Sequence, residues 1–178
     1  IQTSNRKSKR SCMKLDLFSV PIFIDNIDAS KIILSNEKFE KTWVSETNSS
    51  FNSKNKLDFS SEEYLMKKIS YLLSDSFFKP VKLSLVNIWE NRYEEGDFQE
   101  KHVHTHSHFS FVIYKKISES KTVFLNPANY LISSFFPDNY VDNSNLFQLN
   151  FRPSCRENQI VLFPSFLEHA VAKTDGGV

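Results

Sequence analysis

Four histidines at every second position, His102, His104, His106 and His108 in the run EKHVHTHSHFSFVIY, constrain this chain more than any other feature. Side chains alternate faces along a β-strand, so a strand through this run aims all four imidazoles the same way. The one remaining histidine is His169, in IVLFPSFLEHAV, where Ile160, Leu162 and the alternation toward His169 again read as strand. Two neighbouring strands, one carrying H-x-H and the other a distant single His, can bring three imidazoles to one point, as open metal sites commonly do. For any one of these residues the competing readings are an ordinary hydrogen-bonded histidine or an adventitious His-rich loop. Context favours a built site, because the run lies between a turn signal, Glu94-Glu95-Gly96-Asp97, and the apolar segment Phe109 to Tyr114.

A chain of 178 residues, 40% hydrophobic and with 17 Phe, can bury one good core and is too short for two complete domains. The 22 basic and 21 acidic residues nearly cancel, so no whole-protein field argues for nucleic acid or a membrane surface as partner. The cluster Arg6, Lys7, Lys9, Arg10 reads as a solvated N-terminal arm. Two cysteines, Cys12 and Cys155, offer no disulfide framework, and no apolar stretch approaches a signal or membrane-spanning length; the expectation is a reducing cytoplasm. Gly96 is the sole interior glycine and is predicted to take positive φ in its turn. The chain opens on Ile and closes on Asp175-Gly176-Gly177-Val178, a turn-like ending, which gives the expectation of a single domain cut short at its C-terminus.

Residues 17–24 (LFSVPIFI) read as an edge strand that tolerates Pro21. A helix is predicted from about Ser30 to Trp43, and the Ser-, Asn- and Thr-rich stretch Ser45 to Asn55 reads as a loop. A second helix is predicted over 61–77, opened by Ser60-Ser61-Glu62-Glu63 in capping-box spacing, carrying a stripe of Leu65, Ile69, Leu72 and Leu73, and stopped by Pro80. That stripe is expected to pack on the outside of the larger sheet. Beyond it, VKLSLVNIWENRY alternates with Val81, Leu83, Leu85, Asn87, Trp89, Asn91 and Tyr93 on one side, and further strands are predicted at 109–115, 121–125, 146–151, 159–163 and 167–172. Helices first and six or more short strands afterwards suggest an α+β, mainly β fold in which a helical layer at about 28–79 supports a β-sandwich or jelly roll at about 80–178.

The run Trp89-Glu-Asn91-Arg-Tyr93-Glu-Glu-Gly96-Asp97-Phe98-Gln99-Glu-Lys-His102-Val-His104, with Ser110 and Tyr114 after it, closely resembles the iron- and 2-oxoglutarate-dependent oxygenases of phage and marine bacterial genomes, relatives of the prolyl hydroxylases. Their pattern is W-x-N, G-D, H-x-H and S-x-x-x-Y, then L-F-P-S-x-L-x-H-x-V, matched here by Leu162-Phe-Pro-Ser165-Phe-Leu167-Glu-His169-Ala-Val171; Phe124-Leu-Asn126-Pro127 fits the strand between. The resemblance covers roughly residues 80–172 and, more weakly, LFSVPIF. It implies a double-stranded β-helix of the cupin-like kind, with His102, His104 and His169 binding Fe(II). His104 would stand where the broader superfamily has a carboxylate, which leaves the site one charge unit more positive. Phe111 and Asn158 occupy places where the pattern has Gly. His106 and His108 are expected to follow the ligand strand into a bend, as pocket wall or surface.

By the same resemblance, oxygen converts 2-oxoglutarate to succinate and carbon dioxide while a bound substrate is hydroxylated. Tyr114, Tyr93 and Asn91 are the candidates to hold the cosubstrate, since phenolic hydroxyls suit its distal carboxylate; ordinary core aromatics are the alternative for the two tyrosines. An arginine roughly ten residues after the distal His, just beyond Val178, would complete that grip with a guanidinium fork. The substrate, small molecule or peptide, is not written in the sequence, and a homodimer is left open. Two other function classes compete: a three-His cupin-type metalloenzyme that uses no 2-oxoglutarate, and a non-catalytic metal-binding β-sandwich.

Overall fold

The structure, a computed structural model, describes residues 19–35, 38–74, 76, 81–117, 120–136 and 148–173. In chain order the strands and helices are β1 (Phe23–Asn26), β2 (Leu34–Ser35), β3 (Glu40–Thr42), β4 (Thr47–Ser49), β5 (Lys56–Leu57), α1 (Phe59–Leu73), β6 (Asn91–Arg92), β7 (Gln99–His102), β8 (Phe109–Tyr114), β9 (Thr122–Leu125), α2 (Asn129–Phe135), β10 (Asn150–Phe151), β11 (Gln159–Pro164) and β12 (His169–Val171). This is a β-rich α+β fold of antiparallel sheets. No helix among the described residues is long and apolar enough to cross a membrane.

β11 sits at the centre because it is apolar on both faces, and residues 160–164 are buried without interruption. It lies between β1 and β8 in a three-stranded sheet. Ile160 and Leu162 point one way, into a cluster with Leu65, Ile69 and Leu73 of α1 and with Ile27, Ile32 and Ile88. Val161 and Phe163 point the other way, toward Phe124 of β9, Tyr114, Cys155 and Leu167. Alternation along one strand thus joins a helix on one side to a second sheet, ordered β10-β9-β12-β7, on the other. The stripe on α1 is confirmed, but it covers the three-stranded sheet and not the larger four-stranded one.

The first turn of α1 differs from the predicted capping box. Asp58 is the N-cap, its carboxylate accepting from the Ser61 amide at 2.7 Å and from the Ser60 hydroxyl at 2.8 Å, so the helix starts at Phe59. Ser61 is then free to take the Ile33 amide at 3.1 Å, which explains why a serine is buried there. Residues 75 and 77–80, including Pro80, lie outside the described residues.

The predicted helix from Ser30 to Trp43 does not form. A three-residue 3-10 turn, Ala29–Lys31, capped by Asp28, is followed by β2 and β3. Leu34 pairs with Leu57, 23 residues on, and Glu40 with Ser49 in the β3–β4 hairpin, and these ladders override the local helical pattern. The stretch read as a loop supplies β4, whose Thr47 and Ser49 are fully buried. Their hydroxyls are satisfied internally, Thr47 donating to the Phe98 carbonyl at 2.7 Å and Ser49 to Asn91 Oδ1 at 2.6 Å, so polar residues can line a buried strand.

The alternating run from Val81 joins a ladder only at Asn91–Arg92. Its inward parity changes near Asn87: Leu83 and Leu85 pack inward, and so does Ile88. The Asn87 side chain takes the Ile88 amide at 2.8 Å, a local bond that competes with strand pairing. Of the edge strand predicted over 17–24 only Phe23 and Ile24 are in a strand, β1, which runs on to Asn26, while residues 19–22 with Pro21 join no ladder; the strand predicted over 146–151 is seen only as β10, residues 17–18 and 146–147 lying outside the described residues together with the basic arm, Cys12 and the Asp-Gly-Gly-Val tail. Strands at 109–115, 121–125, 159–163 and 167–172 appear within two residues of their expected bounds. The helix α2 was not foreseen; it is exposed, with Tyr130 and Phe135 about four-fifths in solvent, so it lacks the buried stripe that would announce it.

Two backbone positions fit the sequence reading. Gly96 has φ 83 in the turn closed by Asp97 N to the Glu94 carbonyl at 3.0 Å. Asn158, where the pattern has Gly, has φ 60, a conformation asparagine tolerates better than most side chains. Phe111, the other departure, packs against the α1 cluster opposite Leu162. Leu65, wholly buried, is expected to cost about 2–5 kcal/mol when cut to alanine. Tyr71, on the exposed face of the same helix, should change stability by no more than ~0.5 kcal/mol. Urea unfolding of both variants checks this placement, and equal losses would contradict it.

Candidate metal centre

Three of the five histidines meet. β12 lies between β7 and β9, with His169 opposite His102 on one side and opposite Phe124 on the other. Directly opposed residues in an antiparallel pair bring their side chains together, and the His102 and His169 rings stand 4.2 Å apart. The strand stops at His102, so the four-histidine run is not one continuous strand. The chain bends after it, and the His104 amide bonds the Ser165 carbonyl at 3.1 Å. This returns the His104 ring to 5.1 Å from each of the other two. The ligand atoms of His102, His104 and His169 lie within 4.8 Å of one another. His106 and His108 are exposed in the bend beyond, as expected of them.

The Pro164-Ser165 turn secures this bend. Ser165 is buried; its amide donates to the His108 carbonyl at 3.0 Å, and its hydroxyl meets those of Ser107 at 2.9 Å and Ser110 at 2.8 Å. The serines of the S-x-x-x-Y and L-F-P-S segments therefore clamp the loop that carries His104. Ser107 had no signal in the sequence beyond its place between two histidines.

Hydrogen bonds fix the tautomers of two rings. His102 Nδ1 is 2.8 Å from the Glu100 carbonyl and His169 Nδ1 is 3.0 Å from the Leu167 carbonyl. A carbonyl only accepts, so each Nδ1 carries the proton and each Nε2 presents a lone pair. His169 is buried against Phe163, 4.9 Å away, and Phe124, 6.0 Å away. Burial, and next the neighbouring His102, depress the pKa values of His104 and His169 to about 4 each. Three imidazoles, two of them held neutral well below pH 6 and two of them oriented, suit a divalent first-row metal, which binds the unprotonated nitrogen.

The proposed cosubstrate residues fall in two separate hydrogen-bonded groups. Tyr93 donates to Gln99 Oε1 at 2.7 Å, Asn91 Nδ2 reaches Tyr93 Oη and Gln99 Oε1 at 3.3 Å each, and Ser49 holds Asn91 Oδ1. Gln99 is buried at the start of the strand that ends in His102, a link the sequence motif carried without a role. Tyr114 donates to Thr122 at 2.9 Å and accepts from Ser120 at 3.0 Å. Burial raises the pKa of both phenols. Neither tyrosine hydrogen-bonds a histidine of the triad among the described residues. A cavity of about 580 Å³, lined by Lys101, Leu125, Tyr130, Phe166 and Glu168 among others, opens elsewhere. Lys101, Glu168 and Leu125 each neighbour a residue of the triad face, so strand alternation puts this cavity on the other side of the sheet.

The family described as "Putative 2OG-Fe(II) oxygenase" matches residues 87–177, just over half the chain, and the chain belongs to that family. The matched segment contains all three histidines of the cluster. No curated protein matches the chain.

The depressed histidine pKa values give the metal-free protein a defined acid response. In the unfolded chain these groups titrate near 6.5, so between about 6.5 and 4 the unfolded state binds more protons and stability rises with pH. Their favourable contribution is fully present above 6.5 and is lost as pH falls toward 4. The urea midpoint of metal-free protein should fall across that window, and His104→Ala should flatten the slope. An imidazole of His104 titrating at 6.5 or higher by NMR would contradict the placement.

Proposed function

We propose that this chain is an Fe(II)- and 2-oxoglutarate-dependent dioxygenase in which His102, His104 and His169 hold the iron, and that it hydroxylates a substrate with formation of succinate and carbon dioxide. The observation that carries the reading is the meeting of three imidazoles inside the segment matched by the oxygenase family. Bound Fe(II) with oxygen and the keto acid supplies the oxidising power, and two-electron oxidation of the substrate is coupled to loss of carbon dioxide.

The chain's own residues supply position and shelter. The Glu100 and Leu167 carbonyls hold His102 and His169 with Nε2 turned outward. Phe163 and Phe124, both buried, wall the His169 side and keep water from it. Tyr93, Tyr114 and Asn91 are the residues we assign to the cosubstrate. The hydroxyls of Tyr114, Ser120 and Thr122 already exchange hydrogen bonds and can rotate to donate to a carboxylate. We read the β1-β11-β8 and β10-β9-β12-β7 sheets, which face each other across the core of Val161, Phe163 and Phe124, as the halves of a double-stranded β-helix, supported by their antiparallel pairing and shared core. A cytoplasmic setting is our reading of a chain with two cysteines and no disulfide framework.

The absence of a carboxylate from the three-residue cluster favours one second reading, a three-imidazole metalloenzyme that uses no 2-oxoglutarate. Succinate formation separates the two. With Fe(II), oxygen and 2-oxoglutarate, the protein is expected to release succinate and His169→Ala to abolish that release, while His108→Ala, altered on the surface, keeps it within about twofold. Metal-dependent oxidation without succinate would establish the second reading. Metal binding with no turnover of any kind would leave a non-catalytic metal-binding sandwich.

A further inference from the structure

Among the described residues, two of the three clustered imidazoles are fixed by hydrogen bonds and the third is not. His102 and His169 each give an Nδ1 proton to a carbonyl two residues earlier. The His104 ring has no hydrogen bond among the described residues, and the rings of Trp89, His102 and His169 stand beside it. The torsion that swings an imidazole plane is broad, so an untied ring samples many orientations of its lone pair.

Apart from the two other imidazoles at 5.1 Å, the ring beside His104 is Trp89, 5.5 Å away and tilted by 56°. Trp89 is itself backed. Phe51 meets it edge-on at 5.1 Å and 87°, and Trp43 meets Phe51 at 5.4 Å and 46°. Trp43 has φ 63, a backbone state that bulky residues rarely adopt and that persists only where the surroundings impose it. Here they do. The turn is closed by the Glu46 amide on the Trp43 carbonyl at 3.3 Å, and the Val44 amide is anchored on Glu100 Oε1 at 3.1 Å. Glu100 is also the residue whose carbonyl orients His102. One residue therefore ties the base of the aromatic row to the strand that carries the histidines.

We propose that Trp89, backed by Phe51 and Trp43, is the positioning residue for His104, its ring packing taking the place of the hydrogen bond that the other two histidines have. The inference rests on the reading of the three histidines as a metal site. Trp89 acts through His104 and touches no reactant in this assignment.

The test is a double-mutant cycle on the full chain with Co2+ alone as probe, read by calorimetric affinity and by the visible absorption of the bound ion. Trp89→Leu is expected to weaken Co2+ binding about 10–100-fold, the range seen when the group that orients a metal ligand is lost. Trp89→Phe, which keeps a ring, should remain within about threefold of the parent. In a His104→Ala background Trp89→Leu should weaken binding no further, within about twofold, because the residue it acts through is gone. The Co2+ spectrum of Trp89→Leu should shift toward that of His104→Ala. A folded Trp89→Leu protein that binds Co2+ as the parent does would overturn the proposal, as would an equal loss in both backgrounds. Should Trp89→Leu fail to fold, Phe51→Leu replaces it in the same cycle, with a loss expected only when His104 is present, and additivity overturns the proposal again. If the parent binds no Co2+, the metal-site reading itself fails. Parent binding with an inert Trp89 rejects the positioning role alone.

Discussion

The pairing of His169 with His102 across β12 and β7 is the constraint on which the site depends. β12 has three residues, and its register with β7 is irregular between His169 and Val171, so that pair alone is a poor ruler. The ruler is β9. Three consecutive residues of β12 pair with it, and the ladder is extended by the Leu125 amide on the Glu168 carbonyl and the Ala172 amide on the Lys121 carbonyl, both at 2.9 Å. A slip of one residue would turn His169 out of the core and bring Glu168 in. Phe124 and Phe163 resist that slip, since each already fills the inner face beside His169. Apolar packing therefore sets the alignment of polar groups.

Much of the second half of the fold was legible in the sequence because burial there is nearly complete and leaves a plain apolar trace. β8, β9, β11 and β12 lie close to their expected bounds, and the His102, His104 and His169 grouping follows from the strand that ends in one histidine and the strand that begins with another. The premise of a single strand through all four alternating histidines was too simple. The chain leaves the sheet after His102, and His104 returns through a backbone bond to Ser165, 61 positions on, which no local pattern encodes.

The first half was less legible for a related reason. Residues 30–43 carry enough apolar spacing for a helix, but their backbone partners, Leu57 for Leu34 and Ser49 for Glu40, lie beyond that segment. β4 looks like a loop because its buried side chains are hydroxyls whose partners, Phe98 and Asn91, are more than 40 residues away. The aromatic row behind His104 was hidden in the same way, since Trp43 and Phe51 sit in segments read as helix end and loop. Motif position suggests cosubstrate roles for Tyr93, Tyr114 and Asn91; the geometry shows Tyr93 and Asn91 hydrogen-bonded with Gln99 at the start of β7, and Tyr114 in a second group with Ser120 and Thr122 at the end of β8.

Asn158 has a consequence for how the chain reaches this state. Its side chain takes the Ala29 amide at 3.1 Å and its carbonyl takes the Ile27 amide at 2.8 Å, while its own amide is held by Tyr114. Beside it, β1 finds its only ladder partner among the described residues in β11, Phe23 opposite Leu162. During synthesis the first strand emerges long before the residues that cover its edge. Such separations make loop closure entropically slow and leave an open strand edge waiting, a state prone to pairing with other chains. The left-handed residue at the end of the β8–β11 ladder is thus also where the early and late parts of the polypeptide are joined, and the slower that junction forms, the longer the nascent protein is exposed to aggregation.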